Sequence, residues 1–161
     1  MKSAQIDVRE YSYFANNQWR KAADNKFFEV HEPYSGDLFA RVAAGSRADA
    51  RAAVDAAAKA FPGWADSTPA ERARLFLRAS EIVRRRRTEI AEILARETGS
   101  TISFSTFQMD LVAATLQQVA GWVYLPKGEV LETNLAGTHS VGVRRPLGVC
   151  ASFTPWNGAN I

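Results

Sequence analysis

The residues best suited to chemistry stand together in Thr154-Pro155-Trp156-Asn157-Gly158, directly after the short apolar run Val149 to Phe153. A strand that leaves a sheet at its carboxyl end and then turns is where open α/β folds bind ligands. Pro155 removes a backbone donor and fixes φ, which ends any hydrogen-bonded ladder. Asn157 then offers a carboxamide with two N–H donors just beyond the tip. Such a donor can stabilise an oxyanion, and losing one costs about 2.7–4 kcal/mol of transition-state stabilisation. The same residue types also suit an ordinary Pro-Trp turn with Asn as a local cap. Residue type and spacing leave both readings open.

Other reactive side chains are less well placed. Cys150 is the only cysteine. It lies inside the apolar run with no adjacent cation or helix start to lower its pKa, so a buried structural role is expected. His31 and His139 have no second ligand at metal spacing and no nearby Ser or Cys, so no metal site is expected. Arg84-Arg85-Arg86-Arg87 looks like a polyanion site at first. Consecutive helical residues turn by about 100°, however, and Glu81, Glu89 and Glu92 lie at pairing distances, which reads as a solvated helix surface. Neither a GxGxxG nor a P-loop pattern is present.

Stepping outward along the chain, the first forty-five residues read as short strands forming an antiparallel meander, with turns at Asn16–Asn17 and Pro33 to Asp37. Three helices should follow. Ser46 and Asp49 resemble a capping box, and Val54, Ala57, Ala58 and Phe61 share one face until Pro62–Gly63 stops the helix. Thr68-Pro69-Ala70-Glu71 starts the second, which buries Leu75, Ala79, Ile82, Ile90, Ile93 and Leu94 and ends at Gly99. Its length predicts a break near Arg85 to Thr88. The third should start near Ser105, with Gln108 as box partner, and bury Val112, Leu116, Val119 and Val123. Beyond Pro126, GEVLETN, HSVGVRRP and GVCASF read as strands. The last lacks polar alternation, as in a strand covered on both faces by a parallel sheet. The fold class is therefore α/β.

At 161 residues, 47% hydrophobic and 23% charged, the chain has the composition of one globular domain. The formal charge of +3 falls short of the basic stripe that nucleic-acid binding needs. A lone cysteine, and no apolar leader in MKSAQIDVRE, lead to the expectation of a cytoplasmic protein without membrane or nucleic-acid partners.

RRPLGVCASFTPWN is similar to a signature of the aldehyde dehydrogenase superfamily, Pro-x-Gly-Val followed by an apolar strand and Pro-Trp-Asn. FANNQW, FEVHEPYSGDLFARV, AAVDAAAKAFPGWADSTPAERARLFLRASEIV, Glu97-Thr98-Gly99 and AGWVYLPKGEVLE resemble that family in the same order. The resemblance implies oxidation of an aldehyde with NAD or NADP: a cysteine thiolate attacks, hydride leaves to the nicotinamide, and a glutamate activates water. It implies that Asn157 hydrogen-bonds the thiohemiacetal oxygen and that Phe153, Thr154, Pro155 and Trp156 line the cofactor cleft. It divides the chain into 1–132, the N-terminal part of a cofactor-binding domain; 133–148, an oligomerisation ribbon; and 149–161, the first strand and turn of a dinucleotide-binding sheet. The complete enzyme is implied to be a homo-oligomer, dimer or tetramer.

Departures accompany the match. The family's nucleophilic cysteine, base glutamate and ribose-binding lysine would lie beyond Ile161, Cys150 matches only a strand position, and Gly158-Ala159-Asn160 replaces a common Pro. The expectation is an inactive N-terminal fragment of a longer enzyme, marginally stable by itself. Ser100 after Glu97-Thr98-Gly99, with FSTFQMDL, resembles subgroups acting on aromatic aldehydes such as benzaldehyde or vanillin. Two alternatives are a non-catalytic assembly partner of full-length subunits and a small helical binding module of shared ancestry.

Overall fold

The computed structural model describes residues 8–161. Most of the opening stretch read above for a leader, residues 1–7, lies outside the described residues.

Five short strands come first: β1 (Arg9–Tyr11), β2 (Tyr13–Ala15), β3 (Gln18–Arg20), β4 (Phe27–His31) and β5 (Leu38–Ala43). The Asn16–Asn17 turn forms the β2–β3 hairpin, both residues at positive φ (51° and 58°), as a tight primed turn requires. The expected all-antiparallel meander is corrected at one pair. β5 sits between β1 and β4, antiparallel to β4 but parallel to β1. The hairpin and β4 together supply the long connection that a parallel pair needs.

Four helices follow: α1 (Arg47–Ala65), α2 (Pro69–Arg85), α3 (Arg87–Thr98) and α4 (Ile102–Trp122). Both predicted capping boxes are present. Ser46 N–H donates to Asp49 Oδ2 at 2.8 Å, and Thr68 N–H donates to Glu71 Oε2 at 2.7 Å, each answered by the N3 amide bonding the cap hydroxyl. The break predicted near Arg85 falls at Arg86, between α2 and α3. Gly99 terminates α3 with φ 72°.

Two boundaries differ from expectation. Pro62 and Gly63 do not stop α1, which runs on to Ala65. Pro62 lies in the last turn, so its missing N–H frees only the carbonyl of exposed Ala58, which water can serve. The last helix begins one turn earlier than predicted, because Thr101 accepts from Phe104 N–H and so takes the cap. Ser105 is instead fully buried and hydrogen-bonded to Ser100 Oγ at 2.7 Å.

The core lies where α2 and α3 pack on α4. Ala91, Leu94 and Met109 are its buried centre, flanked by Val83 and Ile90. Small residues Ala73, Ala113 and Ala120 let the backbones approach, and Ser80 Oγ donates to the Ala113 carbonyl at 2.7 Å. The arginine run serves this packing from outside. Arg87 makes two 2.6 Å bonds to Asp110, Arg84 donates to Gln117, and Arg86 pairs with Glu89. Leu75 and Ile93, expected to be buried, are exposed, and so are Val54, Ala57 and Ala58 on the face they share. Their stripes have helical spacing, but no described element covers them.

The hairpin is tied to α1 through Asp49, which is 7% exposed. Its carboxylate accepts from Ser46 N–H and Oγ–H, from Ala23 N–H, and from the Tyr13 hydroxyl at 3.0 Å. Those donors, the Ser46 amide foremost, hold its pKa down at about 2.

After α4 come β6 (Gly128–Leu131) and β7 (Ser140–Val143), an antiparallel two-stranded ribbon with almost every side chain exposed. The predicted strand over Val149 to Phe153 carries no ladder, because no described strand runs beside it. Architecturally the chain is α/β, with small, incomplete sheets around a helical layer. Among the described residues no helix is long and apolar enough to cross a membrane.

Candidate functional site

The candidate site is built on the segment leaving β7. Arg144 N–H donates to the Lys127 carbonyl at 2.7 Å, closing the ribbon's base. Pro146 ends the ladder, and Gly148 turns the chain at φ 95°, a conformation open to glycine at little cost. Pro155, at φ −74° and ψ 155°, then leads into a single 3₁₀ turn, Trp156–Gly158, closed behind by Ile161 N–H donating to the Gly158 carbonyl at 2.8 Å.

All five predicted site residues are exposed. Phe153 is 95% and Trp156 76% exposed, and Thr154, Pro155 and Asn157 present themselves beside them. The Asn157 side chain makes no hydrogen bond to any described residue, so the local-cap reading lacks the bond that defines it. The tip therefore combines a broad aromatic surface with one free carboxamide. Such a surface can stack a flat ring, and the amide can donate to an oxygen that gains negative charge.

Cys150 departs from expectation. It is exposed rather than buried, with only a long 3.8 Å contact from Sγ to the Gly148 carbonyl, because the strand meant to cover it has no neighbour. His31 faces Gly36 O through Nδ1 at 3.1 Å and Glu29 through Nε2 at 3.5 Å. Among the described residues no three His, Cys, Asp or Glu side chains converge as for a metal.

One feature escaped the sequence reading. Where the end of α1 meets the ribbon's base, Phe61, Trp64, Asp66, Lys127, Arg144 and Arg145 line a cleft of about 780 Å³. The only signal for it was the doublet Arg144-Arg145, and nothing local relates that doublet to Trp64, some eighty positions earlier.

The Aldehyde dehydrogenase family matches this chain over residues 19–160. Vanillin dehydrogenase of Pseudomonas sp. (strain HR199) is 38% identical over 136 residues, covering 84% of this chain and 28% of that protein. The crystal structure of a salicylaldehyde dehydrogenase from Pseudomonas putida G7, complexed with salicylaldehyde, superposes with a TM-score of 0.89 at 29% identity, covering 95% of this chain and 31% of that one. A double mutant of betaine aldehyde dehydrogenase from Staphylococcus aureus, in complex with NAD+, gives 0.88 at 25% identity over 92% of this chain and 30% of that one. The chain thus spans 28–31% of the length of these relatives. With ordered motifs, fold and family match in agreement, the chain belongs to the aldehyde dehydrogenase family.

Proposed function

We propose that these residues are the N-terminal part of an NAD- or NADP-dependent aldehyde dehydrogenase that converts an aromatic aldehyde to its carboxylic acid. The observation that carries the reading is the exposed Pro155-Trp156-Asn157 tip with its unengaged carboxamide. Relatives named for vanillin and salicylaldehyde support the aromatic class. In this reading residues 133–148 form the oligomerisation ribbon of a homo-oligomer, and residues 149–161 form the first strand and turn of the dinucleotide-binding sheet. The lone thiol fits residence in a reducing cytoplasm.

Residues at the tip divide the work. Phe153 and Trp156 supply an apolar wall, and Thr154 and Pro155 a polar backbone edge, suited to a nicotinamide and its ribose. When bound, the dinucleotide supplies the hydride acceptor. Asn157 donates its amide N–H to the substrate oxygen as a thiolate adds to the aldehyde carbon and negative charge builds on that oxygen. Pro155 holds the amide at its station by fixing the backbone before the turn. Cys150, on the run before the tip, is not the nucleophile; the thiol and the base belong to further chain. Packing favours the same reading. Covering the largely exposed Phe153 and Trp156 is worth ~3–6 kcal/mol at ~1.5–3 per large side chain. That is a large share of a domain's whole stability of about 5–15 kcal/mol. Since this reading places the thiol and the base in further chain, the 161 residues alone should not oxidise aldehydes.

The test is Asn157→Ala in the complete subunit. We expect kcat for vanillin or salicylaldehyde to fall about 10²–10³-fold with KM little changed. An unchanged kcat removes the amide from the mechanism.

A further inference from the structure

Some cations pair with acids: Lys26 with Asp24, Arg41 with Glu29, Arg86 with Glu89, Arg87 with Asp110, and Arg96 with Glu32. Lys127, Arg144 and Arg145 are among the cations that do not, and they meet at one place. Among the described residues no carboxylate comes within 4.0 Å of any of them, although all three line one cleft with Phe61, Trp64 and Asp66. Arg72 at the same cleft is already engaged, its guanidinium donating to the Ser67 carbonyl and hydroxyl. Four like charges, Arg72 included, against one carboxylate create a local positive potential, and an apolar wall with Trp64 45% exposed lies beside them.

A small anion would answer the charge and leave the wall wet. A segment carrying both carboxylates and apolar side chains answers both. We propose that this cleft docks an acidic, partly apolar segment of the same subunit from outside these 161 residues, whose carboxylates pair with Lys127, Arg144 and Arg145 and whose apolar side chains cover Phe61 and Trp64. The inference rests on the reading of this chain as the N-terminal part of a longer subunit, since these residues span 28–31% of the relatives' length. The cleft joins two elements of one subunit, the end of α1 and the base of the ribbon, so a segment packing inside that subunit reaches it without assembly.

The experiment uses the complete subunit, mixed from isotopically light and heavy preparations, with a zero-length carbodiimide cross-linker and peptide mass spectrometry. A second measurement compares, within the complete subunit, the acetylation rate of Lys127 with that of Lys21, an exposed lysine away from the cleft. Expected are a cross-link from Lys127 to an Asp or Glu outside these 161 residues, within one isotope class, and acetylation at least about tenfold slower at Lys127 than at Lys21. A mixed-isotope cross-link would assign the segment to a second copy and overturn the proposal. So would a cross-link to Asp66 alone, protection without any cross-link, or equal acetylation rates. None of these readouts involves turnover, so failure here and failure of the Asn157 test are distinguishable.

Discussion

Gly128 is where the ribbon is most vulnerable. It pairs with Val143 at the base of β6–β7, and a Cβ added there would collide with the Gly142 carbonyl oxygen while lying 3.2 Å from Gly142 C and 3.4 Å from Val143 Cα. These are backbone atoms, so the collision cannot be relieved by rotating a side chain. The strands must part by roughly 1 Å to restore ordinary contact. That displacement carries the Arg144 to Lys127 bond, 2.7 Å in the native ribbon, beyond hydrogen-bonding range, together with a neighbouring ladder bond. Two bonds at about 0.5–1.5 kcal/mol each give about 1–3 kcal/mol, offset by ~0.4–1 for the stiffer unfolded chain. The net is about 1–2 kcal/mol, against a two-stranded ribbon that is marginal to begin with. Gly128→Ala should therefore speed amide exchange at Arg144 about tenfold. Gly142→Ala is the internal control. Its Cβ would meet nothing closer than Glu129 Cγ at 3.7 Å, so exchange should be unchanged or slower. Equal effects from the two substitutions would refute the steric reasoning.

Asp49→Asn removes the clamp between hairpin and α1. Because the folded pKa of about 2 lies below the ordinary carboxylate value, the charged form stabilises the fold above about pH 4 and that contribution is lost as pH falls toward 2. The Tm gap between wild type and variant should be widest above pH 4 and close toward pH 2; a pH-independent gap would remove the charge from the account. Leu94→Ala, at the buried centre, should cost about 2–5 kcal/mol by urea titration. Gln108→Met should be neutral or stabilising by up to about 3 kcal/mol, because Gln108 is 1% exposed and its Oε1 has no hydrogen-bond partner among the described residues. A clear loss of stability on the same titration would mean that the carboxamide is satisfied.

What could be read in the chain and what could not follow different physical ranges. The two capping boxes, the Asn16–Asn17 turn, the Arg86 break and the Gly99 stop are settled by residues within four positions of one another, so local chemistry fixes them. The parallel partnership of β1 with β5 depends on a contact across the hairpin and β4, which no local pattern encodes. The start of α4 shows two local signals in competition. Ser105 and Gln108 have capping-box spacing, but both are buried against the neighbouring helices, and Thr101 takes the cap. Burial was the weakest expectation. Periodicity says which residues share a face; whether Val54 and Leu75 are covered depends on what packs there.

At the Asn157 tip the question was one of direction. A carboxamide after Pro-Trp can turn back to its own backbone or face outward, and residue type is the same in both cases. The 3₁₀ turn decides between them for the structure. The turn that follows it is closed by main chain alone, from Ile161 N–H to the Gly158 carbonyl, and the Asn157 amide is bonded to no described residue. An exposed amide with nothing to hold is a poor structural device, and beside Phe153 and Trp156 it is a well-stocked ligand surface. The chemistry then rests on what an amide donor can do for a developing negative charge. That contribution grows when water is excluded. The tip as described is open to water, so on the proposed reading the amide's full worth requires a cover over these aromatic rings, and the step that would make Asn157 effective is the same one that buries Trp156.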